Sequence, residues 1–153
     1  MKVLQLVSKW MPVIAWMLLM FAGSTDLLSA EHTSRFFVPF LHWLDPTISS
    51  HTIVAIHSAL RKIAHFTEYA ILAALLWRAL CGTFTAIGKG TVAAAVFLAA
   101  AAFAASDEFH QSFVSTRTAS AHDVMIDCTG AFAAVLLCWM FAQARHAYET
   151  TRK

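Results

Sequence analysis

Four apolar stretches alternate with shorter polar connections along this chain. A helix needs about 20 mostly apolar residues to cross the hydrocarbon core of a bilayer, and each stretch approaches that length. They predict spanning helices at about 10–28, 63–80, 91–108 and 122–141. The predicted fold class is therefore all-α, an integral membrane bundle of four transmembrane helices that forms one domain over residues 1–153.

The connection between the first two stretches is long and aromatic. Phe36, Phe37, Phe40 and Trp43 recur at near-helical spacing, interrupted by Pro39. Aromatic segments of this kind are typical of the membrane interface. We expect a short interfacial segment here, and residues 53–58 are expected to lead directly into the second spanning helix.

The first stretch follows a short basic lead that contains Lys2 and Lys9, as a signal peptide does. The length of the stretch and the poor cleavage sites near Gly23 and Ala30 favour a helix that is retained. Pro12 is expected in the first turn of this helix, where its missing amide hydrogen costs little.

The composition supports the membrane assignment. Hydrophobic residues make up 59% of the chain and charged residues 13%, whereas soluble domains have about 25% charged residues. A net charge of +2 without a basic stripe excludes nucleic acid as the expected partner. Cys81, Cys128 and Cys138 are odd in number and lack metal-site spacing, so we interpret them as structural thiols.

Basic residues predict the orientation in the bacterial inner membrane, because they are enriched in cytoplasmic loops. With both termini cytoplasmic, the cytoplasmic side holds seven basic residues, Lys2, Lys9, Arg78, Lys89, Arg145, Arg152 and Lys153. The outer side then holds four, Arg35, Arg61, Lys62 and Arg117.

Polar clusters lie at the ends of the apolar stretches, where a four-span path brings them to one membrane face. The residues expected to converge there are Asp26, Arg61, Lys62, His65, Glu68, Tyr69, Asp107, Glu108, His110, Gln111, Arg117, Asp123 and Asp127. Ionisable groups beside apolar helices are costly and usually have partners and a function.

Within this set, Glu108, His110 and His65 are the candidate acid–base residues, because a Glu and a His at a half-dry interface can exchange protons. The same residues would also suit a hydrogen-bonded network that holds helices together. Arg61, Lys62 and Arg117 are candidates for holding an anionic group, and equally for pairing with Asp123 and Asp127.

Several cluster residues are of types that bind metals, namely His65, His110, Glu108, Asp123 and Asp127. No tight ligand motif supports a metal, and neighbouring cations would compete for the carboxylates, so neither a metal nor another cofactor is predicted. Gly130 continues the face of Asp123 and Asp127, where it would allow a neighbouring helix to approach closely.

Three motifs in order resemble the VanZ-like family of small bacterial membrane proteins. They are Arg61-Lys62-x-Ala64-His65-Phe66-x-Glu68-Tyr69, Asp107-Glu108-x-His110-Gln111-x-Phe113 with Arg117, and Asp123-x-x-x-Asp127-x-x-Gly130. The resemblance spans about residues 24–137 and implies a link to low-level teicoplanin resistance. The family often has Asn where this chain has Asp127.

Three functions are compatible with these residues. The first is a site at the outer face that binds, and in one version modifies, a lipid or lipid-linked envelope precursor. The second is a non-enzymatic module that binds a lipid, drug or partner protein. The third is a small proton-coupled carrier, which would need to form a homo-oligomer to build a pathway.

Overall fold

The chain folds into helices in the computed structural model, which describes residues 2–24, 30–113 and 120–152. In chain order the helices are α1 Lys2–Ser24, α2 Ala30–Leu44, α3 Ser50–Thr83, α4 Lys89–Gln111 and α5 Ala121–Thr151. The helices α1, α3, α4 and α5 are long and apolar enough to cross a membrane. The predicted fold class, an all-α membrane protein with four transmembrane helices, is confirmed.

The observed helices are longer than the apolar stretches that predicted them. α3 has 34 residues and begins at Ser50, so it is roughly 50 Å long at 1.5 Å per residue. Ser49 caps its first turn by accepting a hydrogen bond from the Thr52 amide at 3.1 Å. Hydropathy locates the part of a helix that suits hydrocarbon, whereas capping residues decide where the helix begins.

The predicted position of Pro12 was wrong. α1 begins at Lys2, so Pro12 lies inside the helix. A proline there cannot donate to the carbonyl four residues earlier, that of Ser8. The Arg78 side chain of α3 compensates, because its Nη2 lies 3.4 Å from the Ser8 carbonyl oxygen and 3.3 Å from that of Lys9.

The segment between the first two spanning helices is a helix of 15 residues, α2, which continues through Pro39 to Leu44. Among the described helices, α2 packs against α3. Phe36 and Trp43 remain 79% and 78% exposed, so an aromatic face of α2 is left uncovered by the rest of the described chain.

The long helix α3 is the centre of the bundle, because it contacts each of the other four helices. Fully buried residues of α3 and α4, such as Leu72, Ala73, Val96 and Ala100, form the core together with Ala131 of α5. Small side chains at these contacts let the helices approach closely, which is how helices associate in lipid.

α3 and α5 approach closely at Gly130, where the sequence predicted that a neighbouring helix could come near. A Cβ added at Gly130 would lie 2.9 Å from the Phe66 carbonyl carbon and 3.1 Å from the Phe66 Cα. Real Cβ atoms essentially never come within 3.0 Å of such atoms. Gly130 therefore allows the close α3–α5 approach about one turn after Asp127 on α5 and directly after His65 on α3.

Candidate functional site

The polar clusters meet at one end of the bundle. We call this the site end, and it comprises the C-terminal ends of α1 and α4, residues 61–69 of α3 and the first two turns of α5. Side-chain contacts join α1 to α4 and α3 to α5 there. The structure brings Arg61, His65, Asp107, Gln111, Asp123 and Asp127 into side-chain contacts at this end, while Asp26 and Arg117 lie outside the described residues.

A buried hydrogen-bond network links α1 to α4. The Ser24 hydroxyl donates to Asp107 Oδ2 at 2.7 Å, and Gln111 Nε2 donates to Asp107 Oδ2 at 3.0 Å and to Ser24 Oγ at 3.1 Å. All three residues are buried. Asp107 and Gln111 are four residues apart on α4 and therefore share one helix face.

Two contacts link α3 to α5, and they lie one helical turn apart on both helices. Arg61 Nη2 pairs with Asp123 Oδ2 at 3.1 Å, with side chains 28% and 15% exposed. His65 Nδ1 lies 3.1 Å from Asp127 Oδ1, and these side chains are only 10% and 2% exposed. The matching spacing on parallel helices brings each basic side chain opposite one carboxylate.

The other two candidate acid–base residues have contacts of their own. Glu108 Oε1 accepts a hydrogen bond from the Ser120 amide, and Ser120 is the N-cap residue of α5. The His110 ring packs on Phe21 with ring centroids 4.6 Å apart. Glu108 thus contacts the start of α5, and a catalytic role for Glu108 and His110 stays a prediction.

A cavity of about 570 Å³ opens beside the α3–α5 contacts. Pockets for small ligands usually measure about 300–1,000 Å³. Some of the lining residues are polar, namely Ser24, His57, Arg61, His65, Glu68 and Gln111. The others are apolar residues or glycine, namely Met20, Gly23, Phe36, Phe37, Phe40, Leu60 and Ala64. The cavity is therefore suited to a ligand that has both a polar and an apolar part.

The remaining predicted binding residues, Glu68, Tyr69 and Lys62, lie in different environments. Glu68 lines the cavity, and its backbone carbonyl accepts a hydrogen bond from Trp16 Nε1 at 3.0 Å. Tyr69 is buried in the core and packs on Phe103. Lys62 is exposed and does not line the cavity.

Several buried polar atoms of the site end have no hydrogen-bond partner among the described residues. They include Tyr69 Oη, Asp107 Oδ1 and Gln111 Oε1. Most buried polar atoms in proteins are hydrogen-bonded to protein or water. The spare acceptor of Gln111, a cavity-lining residue, is consistent with a site that receives a hydrogen-bond donor from water or a ligand.

The described residues contain no group of three or more His, Cys, Asp or Glu side chains arranged to hold a metal ion. The acidic side chains of the α3–α5 contacts are each engaged by a basic side chain. This arrangement offers hydrogen bonds and one guanidinium to a ligand.

Sequence reasoning missed the aromatic wall of the cavity and His57. Phe36, Phe37 and Phe40 were interpreted as an interfacial segment, but they also line the cavity. His57 lies four residues before Arg61 on α3, a spacing that places both side chains on one face. That spacing was the available signal, because residues 53–58 were already expected to lead into the second spanning helix.

Comparison with known proteins defines the class of this molecule. The family model described as VanZ/LLP1 matches residues 9–142, which include every candidate site residue and most of the four spanning helices. The chain is therefore a VanZ-like membrane protein and belongs to the VanZ/LLP1 family. Neither the curated proteins nor the solved structures contain a match to this chain.

Proposed function

We propose that the site end binds a membrane lipid or lipid-linked envelope precursor whose head group is anionic. The observation that carries this proposal is the cavity, which is lined both by Arg61 and by aromatic side chains of α2. Phe36, Phe37 and Phe40 suit an acyl or prenyl chain, and the polar side suits a head group.

Arg61 is the residue expected to hold the head group. A guanidinium has five N–H donors, and the contact with Asp123 uses Nη2 alone among its nitrogens. The side chain is 28% exposed, so it can still reach a ligand. Arginine binds phosphate and carboxylate oxygens in a forked geometry, which makes it well suited to an anionic head group.

Lipid binding can be tested by blocking the cavity. Ala64 lines the cavity whereas Ala59, on the same helix, does not, and both are exposed. Ala64→Trp should abolish binding of phosphatidylglycerol to the purified protein, measured by native mass spectrometry. Ala59→Trp should bind it like the unmodified protein. Equal binding by both variants would show that the cavity is not the lipid site.

The role of Arg61 can be tested with two arginine variants. Arg61→Gln should weaken phosphatidylglycerol binding about tenfold or more, because a hydrogen bond to a charged group contributes about 1.5–3 kcal/mol. Binding of zwitterionic phosphatidylcholine should change less. Arg145→Gln, at an exposed position of α5 outside the cavity, is the matched control. An equal loss in both variants would contradict the assignment.

The proposed location is the bacterial inner membrane, with both termini in the cytoplasm and the site end facing outward. The distribution of Lys and Arg supports this orientation, with seven residues on the cytoplasmic side and four on the other. Reporter fusions after Thr151 and within residues 45–48 should report opposite sides of the membrane. A fusion after Thr151 that reports the outer side would reverse the orientation.

The proposed consequence for the cell is altered teicoplanin susceptibility through binding of an envelope precursor, in line with the resemblance to the VanZ-like family. Cells that express the unmodified protein should tolerate more teicoplanin than cells that express Ala64→Trp at equal membrane levels. Unchanged susceptibility would separate the binding activity of this chain from resistance.

A further inference from the structure

The cavity wall contains an imidazole whose orientation is set by a buried carboxylate. His65 lines the cavity, and its Nδ1 lies 3.1 Å from Asp127 Oδ1. Asp127 is 1% exposed. A carboxylate at Nδ1 favours the tautomer that carries the proton there, which leaves Nε2 as an acceptor.

A cation suited to stabilising negative charge lies next to this imidazole. Arg61 is four residues before His65 on α3, so the two side chains are neighbours with roughly 5–6 Å between their Cβ atoms. Asp123 holds the Arg61 guanidinium through Nη2, and the other terminal nitrogen keeps its donors. An oriented base beside an oriented cation is the arrangement needed to attack a carbonyl group and stabilise the resulting oxyanion.

The lining of the cavity suits a substrate that has both apolar chains and a polar head group. Aromatic side chains of α2 line it, and so do Arg61 and His65. In a membrane glycerolipid, the acyl ester joins the apolar chains to the head group. A lipid bound in this cavity can therefore bring its ester linkage to His65.

We infer that the site end hydrolyses the acyl ester of an anionic glycerolipid, with His65 as the catalytic base and Asp127 as its positioning residue. This inference rests on the proposed lipid binding. His65 Nε2 takes a proton from water as the water oxygen bonds to the acyl carbon, and Arg61 stabilises the oxyanion. The bond from the acyl carbon to the glycerol oxygen then breaks, and that oxygen receives the proton from His65. The products are a fatty acid and a lysolipid.

The test measures binding and turnover separately, with phosphatidylglycerol vesicles in heavy-oxygen water. The unmodified protein should release labelled fatty acid and lysophosphatidylglycerol, detected by mass spectrometry. His65→Ala should lower the turnover rate by about 10²–10⁴-fold, the usual contribution of a general base. Added imidazole should restore part of that rate, which a purely structural role for His65 would not allow.

Asp127→Asn distinguishes positioning from folding. It should lower kcat about tenfold or more, because the wrong imidazole tautomer is then favoured, while the Kd for phosphatidylglycerol stays unchanged. His122 is an exposed histidine in the first turn of α5. His122→Gln should leave both kcat and the Kd for phosphatidylglycerol unchanged.

The outcomes separate the two proposals. Binding of phosphatidylglycerol without any cleavage of the lipid would overturn the hydrolytic inference and leave the proposed lipid binding intact. No binding of phosphatidylglycerol would overturn the proposed function and this inference together. Full cleavage by His65→Ala, or the same loss of kcat in His122→Gln, would show that His65 is not the base.

Discussion

Different interactions join the helices at the two ends of the four-helix bundle. At the site end, buried Asp107 and Asp127 pair with polar or basic side chains of other helices. At the opposite end, formed by residues 8–10 of α1 and 78–83 of α3, Lys9 Nζ donates to the Gly82 carbonyl and Trp10 Nε1 donates to Thr83 Oγ1 at 3.0 Å.

This difference distinguishes contacts that only hold the helices together from buried polar groups that do more than that. A helix leaves its last carbonyl groups without partners, so the Lys9–Gly82 contact has a sufficient structural reason. At the site end, the partners of the buried carboxylates, Ser24, Gln111 and His65, also line a cavity of about 570 Å³. Ionisable groups among spanning helices are costly, and their concentration at one end is what indicates function there.

The largest expected effect on stability comes from Gly130. Gly130→Ala should lower the free energy of unfolding by about 1–3 kcal/mol, as overpacking does, because the new Cβ would collide with the rigid Phe66 backbone. Thermal unfolding in detergent measures the change. Gly90→Ala is the control, since a Cβ there meets nothing within 4 Å. Equal stability of the two variants would mean that α3 and α5 can separate freely.

The buried network of α1 and α4 should rank next. Asp107→Ala removes the acceptor of both Ser24 and Gln111, and leaving buried donors unsatisfied costs about 1–3 kcal/mol. Interhelical hydrogen bonds in membranes average about 0.6 kcal/mol, so the lower part of this range is expected. Glu149→Ala, at an exposed position, should change the unfolding temperature little. A loss as large in Glu149→Ala would contradict the buried network.

A substitution at the opposite end of the bundle tests whether lipid binding is confined to the site end. Lys9→Met removes the donor to the Gly82 carbonyl and should destabilise the protein by about 1 kcal/mol, the usual net value of a hydrogen bond. Lipid binding by the folded fraction should be unchanged, in contrast to Arg61→Gln. If Lys9→Met weakened phosphatidylglycerol binding as much as Arg61→Gln does, function would not be confined to the site end.

The smallest effect on stability is expected at the partly exposed Arg61–Asp123 pair. Asp123→Asn should change the free energy of unfolding by about 1 kcal/mol or less, as is usual for exposed ion pairs. It should also tighten phosphatidylglycerol binding, because the Asp123 carboxylate competes with the anionic head group for Arg61. Weaker lipid binding by Asp123→Asn would mean that the carboxylate is needed to hold Arg61 in place.

The amino-acid sequence alone determined the class of the molecule and the gathering of its polar residues. Long apolar stretches can satisfy their backbone in lipid only as helices or closed barrels, and alternating spans must place every second helix end on the same face. His65 and Asp127 could therefore be assigned to one membrane face before their contact was known.

The tertiary structure decided which polar side chains contact each other and which residues line the cavity. Whether Asp127 contacts His65 or a neighbouring cation depends on helix rotation and separation, which the close approach at Gly130 sets. The same packing turned Glu108 toward the Ser120 amide and placed His110 on Phe21. The aromatic wall of α2 joined the cavity because α2 packs back on α3. Hydropathy and spacing carry no information on such contacts, since they depend on side chains far apart in the chain.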